Sequence, residues 1–152
     1  MGLLRPTATN ETEDEELTST RRLVAIHESG HVAGCNEYNI PYGEIHVSVN
    51  RAYWTGKLEY KGFVHTADNY KGQEMSYAAM CLAGKEAEAL YLMEKQGWRK
   101  GKAHSFAEDH AGADLRNAEF LVGRRGLYDA ERRARRLVES SWGSITWLAG
   151  QL

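Results

Sequence analysis

The sequence is poor in cysteine and proline, and it lacks long apolar runs. Its 152 residues include two cysteines, Cys35 and Cys81, and two prolines. Two cysteines in separate helical patterns do not make a disulfide framework, which favours a reducing, cytoplasmic location. No stretch has the roughly 20 apolar residues that a membrane span needs, and the N-terminus lacks a signal peptide. We therefore expect a cytoplasmic protein with no membrane span.

An excess of positive charge is also missing. The formal net charge is −2, which gives no general basic footprint for nucleic acid. One dense basic segment does occur near the C-terminus: Arg124, Arg125, Arg132, Arg133, Arg135 and Arg136. Because Asp129, Glu131 and Glu139 interrupt this segment, we interpret it as a solvated helix face with local ion pairs. No nucleic acid partner is expected.

The length and charge pattern predict a short acidic N-terminal segment followed by one folded domain. Residues 1–17 include the acidic, polar stretch 11–16, which is typical of a flexible N-terminal segment. Residues 18–152 are long enough to bury a sizeable core. The sequence leaves the oligomeric state open, so an oligomer is compatible with it.

Hydrophobic periodicity predicts a mainly α fold with a small β hairpin or sheet. A first helix is expected over residues 21–38, with its N-cap at Thr18, Ser19 or Thr20. The other expected elements are strands over 44–50 and 57–64, a helix over 75–95, a flexible basic loop over 96–104, and helices over 112–122 and 127–149.

The most informative motif lies in the first predicted helix, where His27, Glu28 and His31 form the pattern His-Glu-x-x-His. Helical residues four apart lie on the same face, so two imidazoles can bind one zinc ion. Glu28 is about 100° further round the helix, where it can act as a general base on a water molecule. The alternative is two satisfied core histidines and a salt-bridged glutamate.

A catalytic zinc usually has a third protein ligand. Asp114 is the first choice, because it shares an apolar helical stripe with Ala118 and Leu121. It could equally be a first-turn acid favoured by the helix dipole. Glu88 is the second choice, either as a ligand or as an acceptor for a ligating imidazole. Two more candidates are His104 and His110, although a histidine in a polar loop is more often exposed.

Three motifs together resemble the peptidase domain of the FtsH-type, membrane-anchored AAA zinc proteases. Residues 24–31 read Val-Ala-Ile-His-Glu-Ser-Gly-His, residues 82–88 read Leu-Ala-Gly-Lys-Glu-Ala-Glu, and residues 112–118 read Gly-Ala-Asp-Leu-Arg-Asn-Ala. The third segment is similar to the one that carries the family's third ligand, an aspartate, which favours Asp114. The last helix, ending at residues 148–152, also resembles the family's C-terminal helix.

The chain departs from the family at several points. Ala83 stands where the family has a glycine, Lys85 stands where it has an arginine, and the spacing before Asp114 is shorter. The family's ATPase domain and transmembrane helices do not occur in this sequence. The resemblance therefore implies a stand-alone relative of the peptidase domain, or one that relies on a separate ATP-driven unfoldase.

The sequence predicts a zinc metalloprotease, a hydrolase that cleaves peptide bonds in unfolded or flexible polypeptides. Zn²⁺ bound by His27, His31 and Asp114 would activate water, and Glu28 would accept its proton. The strand over 44–50 could present its edge to an extended substrate. The alternative is a metal-binding but non-proteolytic adaptor or scaffold module derived from the same fold.

Overall fold

A computed structural model describes the backbone of residues 6–152 and the side chains of residues 15–152. Its elements are α1 (Pro6–Tyr38), β1 (Tyr42–Arg51), β2 (Leu58–Thr66), α2 (Glu74–Gln96), α3 (Lys100–Asp109), α4 (Gly112–Ser140) and α5 (Trp142–Gln151). The described part of the chain is thus mainly helical, with one two-stranded antiparallel sheet. This confirms the predicted mixture of helices with a small β element.

Helix α1 begins at Pro6, well before the predicted start at residue 21. The first five residues of the predicted flexible segment 1–17 lie outside the described residues. The prediction started the helix after the possible N-cap residues Thr18, Ser19 and Thr20, because the apolar periodicity begins there. Glutamate is nevertheless a good helix former, and proline is favoured in a first helical turn, so an acidic stretch can extend a helix without an apolar pattern.

The core forms where α1 crosses α2, and two glycines of α1 allow the close approach. A Cβ atom on Gly30 would lie 2.6 Å from the carbonyl oxygen of Ala83, and one on Gly34 would lie 2.8 Å from the Cα atom of Met80. Both distances are too short for real side chains. Gly30 and Gly34 therefore let α2 pack closely against α1.

Strands β1 and β2 form a hairpin that packs beside α1. The register pairs His46 with Phe63 and Val49 with Tyr60. A tight turn joins the strands, with Gly56 at φ 67° and the Ala52 amide donating to the Lys57 carbonyl at 2.7 Å. The hairpin therefore presents β2 to the same helix that carries the histidine motif.

The prediction of a flexible loop over residues 96–104 is wrong for the second half of that range. Gly97 ends α2 in the left-handed conformation, at φ 68°, which is a common helix termination. Helix α3 then begins at Lys100, and its Ala103 and Ala107 pack against Ala89 and Leu92. The polar composition hid this helix, because two alanines are its only buried residues.

Two breaks divide the C-terminal helices. Gly123 interrupts α4 with φ 71° and ψ 174°, inside the gap between the two predicted helices. The prediction of one continuous helix over 127–149 is wrong, because the helix breaks at Ser141 and the chain continues as α5.

Across the described residues, none of the helices has the length and hydropathy needed to cross a membrane. Both cysteines are free thiols.

Candidate metal centre

His27 and His31 lie one helical turn apart on the inner face of α1, with 9 % and 8 % of their surfaces exposed. Their ring centroids are 4.8 Å apart and their planes meet at 77°. Buried imidazoles need polar partners. Each ring finds one partner on each of its two nitrogens.

Asp114, in the first turn of α4, closes the site from the opposite side. Its Oδ2 atom lies 3.0 Å from Nε2 of His27 and 3.3 Å from Nε2 of His31. Ligand atoms about 2.1 Å from a tetrahedral zinc are about 3.4 Å from one another. The two measured separations are close to that value, and one donor atom from each of the three residues lies within 4.8 Å of the others.

Gly84 of α2 lets the two imidazoles pack directly against the helix backbone. A Cβ atom at this position would lie 2.6 Å from Nε2 of His27 and 2.7 Å from Nε2 of His31. These are the two nitrogens that face Asp114, so a side chain at this position would push the imidazoles out of their arrangement around Asp114. The donor set fits a divalent metal that prefers nitrogen and oxygen ligands.

The outer nitrogens of both rings are fixed by hydrogen bonds. Nδ1 of His27 lies 3.1 Å from Oε1 of Glu88, and Nδ1 of His31 donates to the Met80 carbonyl at 2.9 Å. Acceptors of this kind hold an imidazole in the tautomer that leaves Nε2 for a metal. Glu88 therefore contacts the outer side of His27, whereas Asp114 contacts the inner side of both rings.

The carboxylates strongly bias the protonation of the two imidazoles. Burial lowers the pKa of His27, but hydrogen bonds to Asp114 and Glu88 outweigh burial and raise the pKa to about 10. The His31 pKa is raised as well, by Asp114 against burial, while the two imidazoles hold the pKa of Asp114 below its usual range. A metal must displace these protons, so metal binding releases protons and strengthens as pH rises.

Glu28 lies beside the three residues and is itself buried, with 5 % of its surface exposed. Gly62 of β2 packs directly against it, since a Cβ atom there would lie 2.6 Å from Oε1 of Glu28. The other oxygen, Oε2, is buried and has no hydrogen-bond partner within the described chain. Burial raises the pKa of Glu28 above its ordinary value. Glu28 therefore keeps an unpaired acceptor oxygen beside His27, His31 and Asp114.

A cleft of about 480 Å³ opens onto these side chains, and β2 forms one of its walls. Tyr60, Gly62 and Val64 are among the strand residues that line it. The strand over 44–50, which was expected to offer its edge to an extended substrate, contributes no residue to this cleft. The hairpin turn places β2 against Glu28, and β1 pairs with β2 on the far side.

The remaining histidine candidates lie away from Nε2 of either motif histidine. His104 lies 3.9 Å from the carboxylate of Glu86, and burial lowers its pKa. His110 lines the cleft, where its Nδ1 donates to the Phe106 carbonyl at 2.9 Å and lies 3.8 Å from Glu88. Neither histidine joins the group of three possible ligands. They are therefore neighbours of the site and not part of its donor set.

Several contributors to the site gave no recognisable signal in the sequence. Gly84 and Gly62 act through the absence of a side chain, and Met80 acts through its backbone carbonyl. Such roles depend on which segments meet in three dimensions.

Comparison of the chain with known protein families, with curated proteins and with solved structures finds no match. The resemblance to the FtsH-type peptidase domain therefore rests on the motifs alone and stays a prediction. The structure adds geometry, because it brings three segments that are far apart in the sequence to one place. The first segment supplies His27 and His31, the second supplies Gly84 and Glu88, and the third supplies Asp114.

Proposed function

We propose that the protein is a zinc-dependent metalloendopeptidase, similar in its site and its helical fold to the FtsH-type peptidase domain. The observation that carries this proposal is the convergence of His27, His31 and Asp114 beside a buried, unpaired oxygen of Glu28. Most buried polar atoms in a purely structural cluster are hydrogen-bonded. Here an unpaired oxygen of Glu28 and an open cleft lie beside the three possible ligands, which favours a catalytic role over a purely structural one.

His27, His31 and Asp114 would hold the ion, which supplies a Lewis acid that acidifies water and polarises a peptide carbonyl. Glu28 acts as the general base, because its raised pKa lets it accept a proton from water and return it to the leaving amine. Glu88 and the Met80 carbonyl keep the two imidazoles in the required tautomer.

The substrate would be an extended polypeptide that lies along β2. This strand pairs with β1 on one side only, so its other edge offers backbone hydrogen bonds along the cleft wall. Backbone pairing gives affinity without a strict sequence requirement. Because an extended segment must reach Glu28, unfolded or flexible chains are the expected substrates, and folded proteins would need a separate ATP-driven unfoldase. A cytoplasmic location remains part of the proposal.

The direct test is cleavage of an unfolded, fluorescently labelled polypeptide by the zinc-loaded protein. Glu28→Gln should keep zinc and lose turnover by about 10²–10⁴-fold, since an amide cannot accept the proton. Glu37→Gln is the matched control, because Glu37 is exposed on the same helix. Its activity should equal that of the parental protein.

Two outcomes would contradict the proposal. Cleavage by Glu28→Gln at the parental rate would exclude Glu28 as the base. Zinc binding without hydrolysis of any of several unfolded substrates would instead favour the non-proteolytic adaptor or scaffold, for which a metal stabilises the fold and Glu28 is a buried acid.

A further inference from the structure

The turn between β1 and β2 carries two exposed aromatic residues, Tyr53 and Trp54, called the aromatic tip below. They are 88 % and 91 % exposed, more than any other large hydrophobic residue that the structure describes. Their rings meet edge to face, with centroids 5.1 Å apart. Burial of an aromatic side chain removes about 150–250 Å² from water, so this pair leaves roughly 300–450 Å² of apolar surface exposed. A patch of that size on a folded domain is often a binding surface.

The aromatic tip contributes little to the fold. Backbone hydrogen bonds close the turn, since the Ala52 amide donates to the Lys57 carbonyl at 2.7 Å and the Gly56 amide donates to the Ala52 carbonyl at 2.9 Å. Neither bond needs an aromatic side chain. Neither ring belongs to a core cluster formed by the described residues. The two rings are therefore exposed to water for a reason other than folding.

Strand β2 connects the aromatic tip to the candidate metal centre. The strand begins at Leu58, where the turn ends, and its Gly62 packs against Glu28. These two strand positions are about 13 Å apart, at about 3.3 Å per residue. Between them, Tyr60 lies on the same face as Gly62, lines the cleft and is 48 % exposed. A polypeptide that lies along β2 past Glu28 therefore reaches the aromatic tip at one end.

A second contact gives a similar distance. Glu16 of α1 lies 3.2 Å from Arg51, the last residue of β1 before the turn. Glu16 and Glu28 lie on the same helix, about 18 Å apart at 1.5 Å per residue. The aromatic tip is thus about 13–18 Å from Glu28, which an extended chain spans in about four to six residues.

We propose that the aromatic tip is a distal substrate subsite, which binds an apolar side chain about four to six residues from the peptide bond that is cleaved. This inference rests on the proposed function, because the ligand is the extended polypeptide that lies along β2. Backbone pairing with a strand edge selects no particular sequence. The aromatic tip adds a preference for segments that carry an apolar residue at a fixed distance from Glu28. Unfolded chains expose such residues, whereas folded proteins bury them.

A peptide series measures this spacing directly. The zinc-loaded protein is given polar, unfolded peptides in which a single tryptophan is moved along the chain, and mass spectrometry identifies the bond that is cleaved. The parental protein should cleave about four to six residues from the tryptophan, always on the same side, so that the cleaved bond moves with it. The double variant Tyr53→Ala with Trp54→Ala should lose this fixed spacing.

The same double variant should raise KM about five- to tenfold for the peptide with the best spacing. Its kcat should stay unchanged, because the aromatic tip holds the substrate equally well before and during the reaction. The matched control is Tyr128→Ala with Trp147→Ala, which removes the same two residue types from α4 and α5, where they are 71 % and 67 % exposed. The control should keep the parental spacing and the parental KM.

A binding measurement separates this inference from the proposed function. Fluorescence anisotropy of the labelled peptide on the Glu28→Gln protein reports affinity without turnover. Adding Tyr53→Ala and Trp54→Ala should weaken this affinity by the same five- to tenfold factor, about that of one aromatic contact. If the parental protein cleaves no peptide but binds it with this dependence, the peptidase proposal fails while the aromatic tip still binds polypeptide.

Three results would overturn the inference. The first is a double variant with the parental spacing, KM and peptide affinity. The second is an equal loss in the Tyr128→Ala, Trp147→Ala control, which would mean that exposed aromatic residues bind the peptide without regard to position. The third is binding of the parental protein to vesicles of phosphatidylcholine and phosphatidylserine that the tip variant loses, with unchanged peptide affinity. That result would assign the aromatic tip to a membrane surface instead.

Discussion

Gly84→Ala should remove zinc binding while leaving the protein folded. The added methyl group would lie 2.6 Å and 2.7 Å from the two Nε2 atoms that face Asp114. Those distances are far below van der Waals contact, so one or both imidazoles must rotate away. A rotated ring can no longer point Nε2 at the same place as its partner, and the ion loses at least one ligand.

The expected loss of zinc affinity is at least about a hundredfold, or roughly 2.8 kcal/mol at 1.4 kcal/mol per tenfold. The effect on folding is smaller. Overpacking a core position costs about 1–3 kcal/mol, while replacing glycine by alanine inside a helix returns about 1 kcal/mol. The net change in the free energy of unfolding should therefore be between about 0 and 2 kcal/mol.

Zinc affinity is measured by competition with a chromophoric chelator, and folding by thermal unfolding of the metal-free protein. Gly101→Ala is the matched control, because Gly101 also lies in a helix but a Cβ atom there meets nothing within 4 Å. The control should bind zinc like the parental protein. If Gly84→Ala also binds zinc with parental affinity, the ion does not lie between the two imidazoles and Asp114.

Three further predictions concern other parts of the site and the core. Glu88→Ala should weaken zinc binding about 10–100-fold in the same chelator assay, because His27 loses the acceptor that orients it; unchanged affinity would exclude that role. Gly62→Ala should keep zinc but lose peptide hydrolysis, since its methyl group would lie 2.6 Å from Oε1 of Glu28; parental hydrolysis would show that β2 does not fix Glu28. Burial raises the pKa of Cys35 from 9.0 to about 11, which leaves about a hundredfold less thiolate at pH 8. Iodoacetamide should therefore label Cys35 at least that much more slowly in the folded than in the unfolded protein, and equal rates would show that it is not buried.

Local geometry explains why part of the site could be predicted from the sequence. The spacing of His27 and His31 fixes their common face once the segment is helical, and the apolar stripe through Ala118 turns Asp114 inward. These features depend on residues within two helical turns of one another. The structure brings the three side chains together, while their binding of metal stays a prediction.

The rest of the site depends on contacts between segments that are distant in the sequence. Neither the close contact of the two imidazoles with Gly84 nor the choice of β2 over β1 as the cleft wall follows from local periodicity, because each is set by how the hairpin and α2 pack on α1. Polar composition likewise concealed α3, and the acidic start of α1 had no apolar pattern to reveal it. Tertiary packing decided these features, and single-sequence patterns do not encode it locally.

X-ray absorption of the zinc-loaded protein tests the central claim most directly, because it reports the atoms bound to the metal. The account predicts one zinc per chain, with nitrogen and oxygen neighbours at about 2.0–2.1 Å, including two imidazoles, and no sulfur neighbour. Cys81 lines the same cleft and carries a thiol, which zinc also binds. A sulfur neighbour at about 2.3 Å, or a protein that retains no zinc, would contradict the assignment of His27, His31 and Asp114 as the metal ligands.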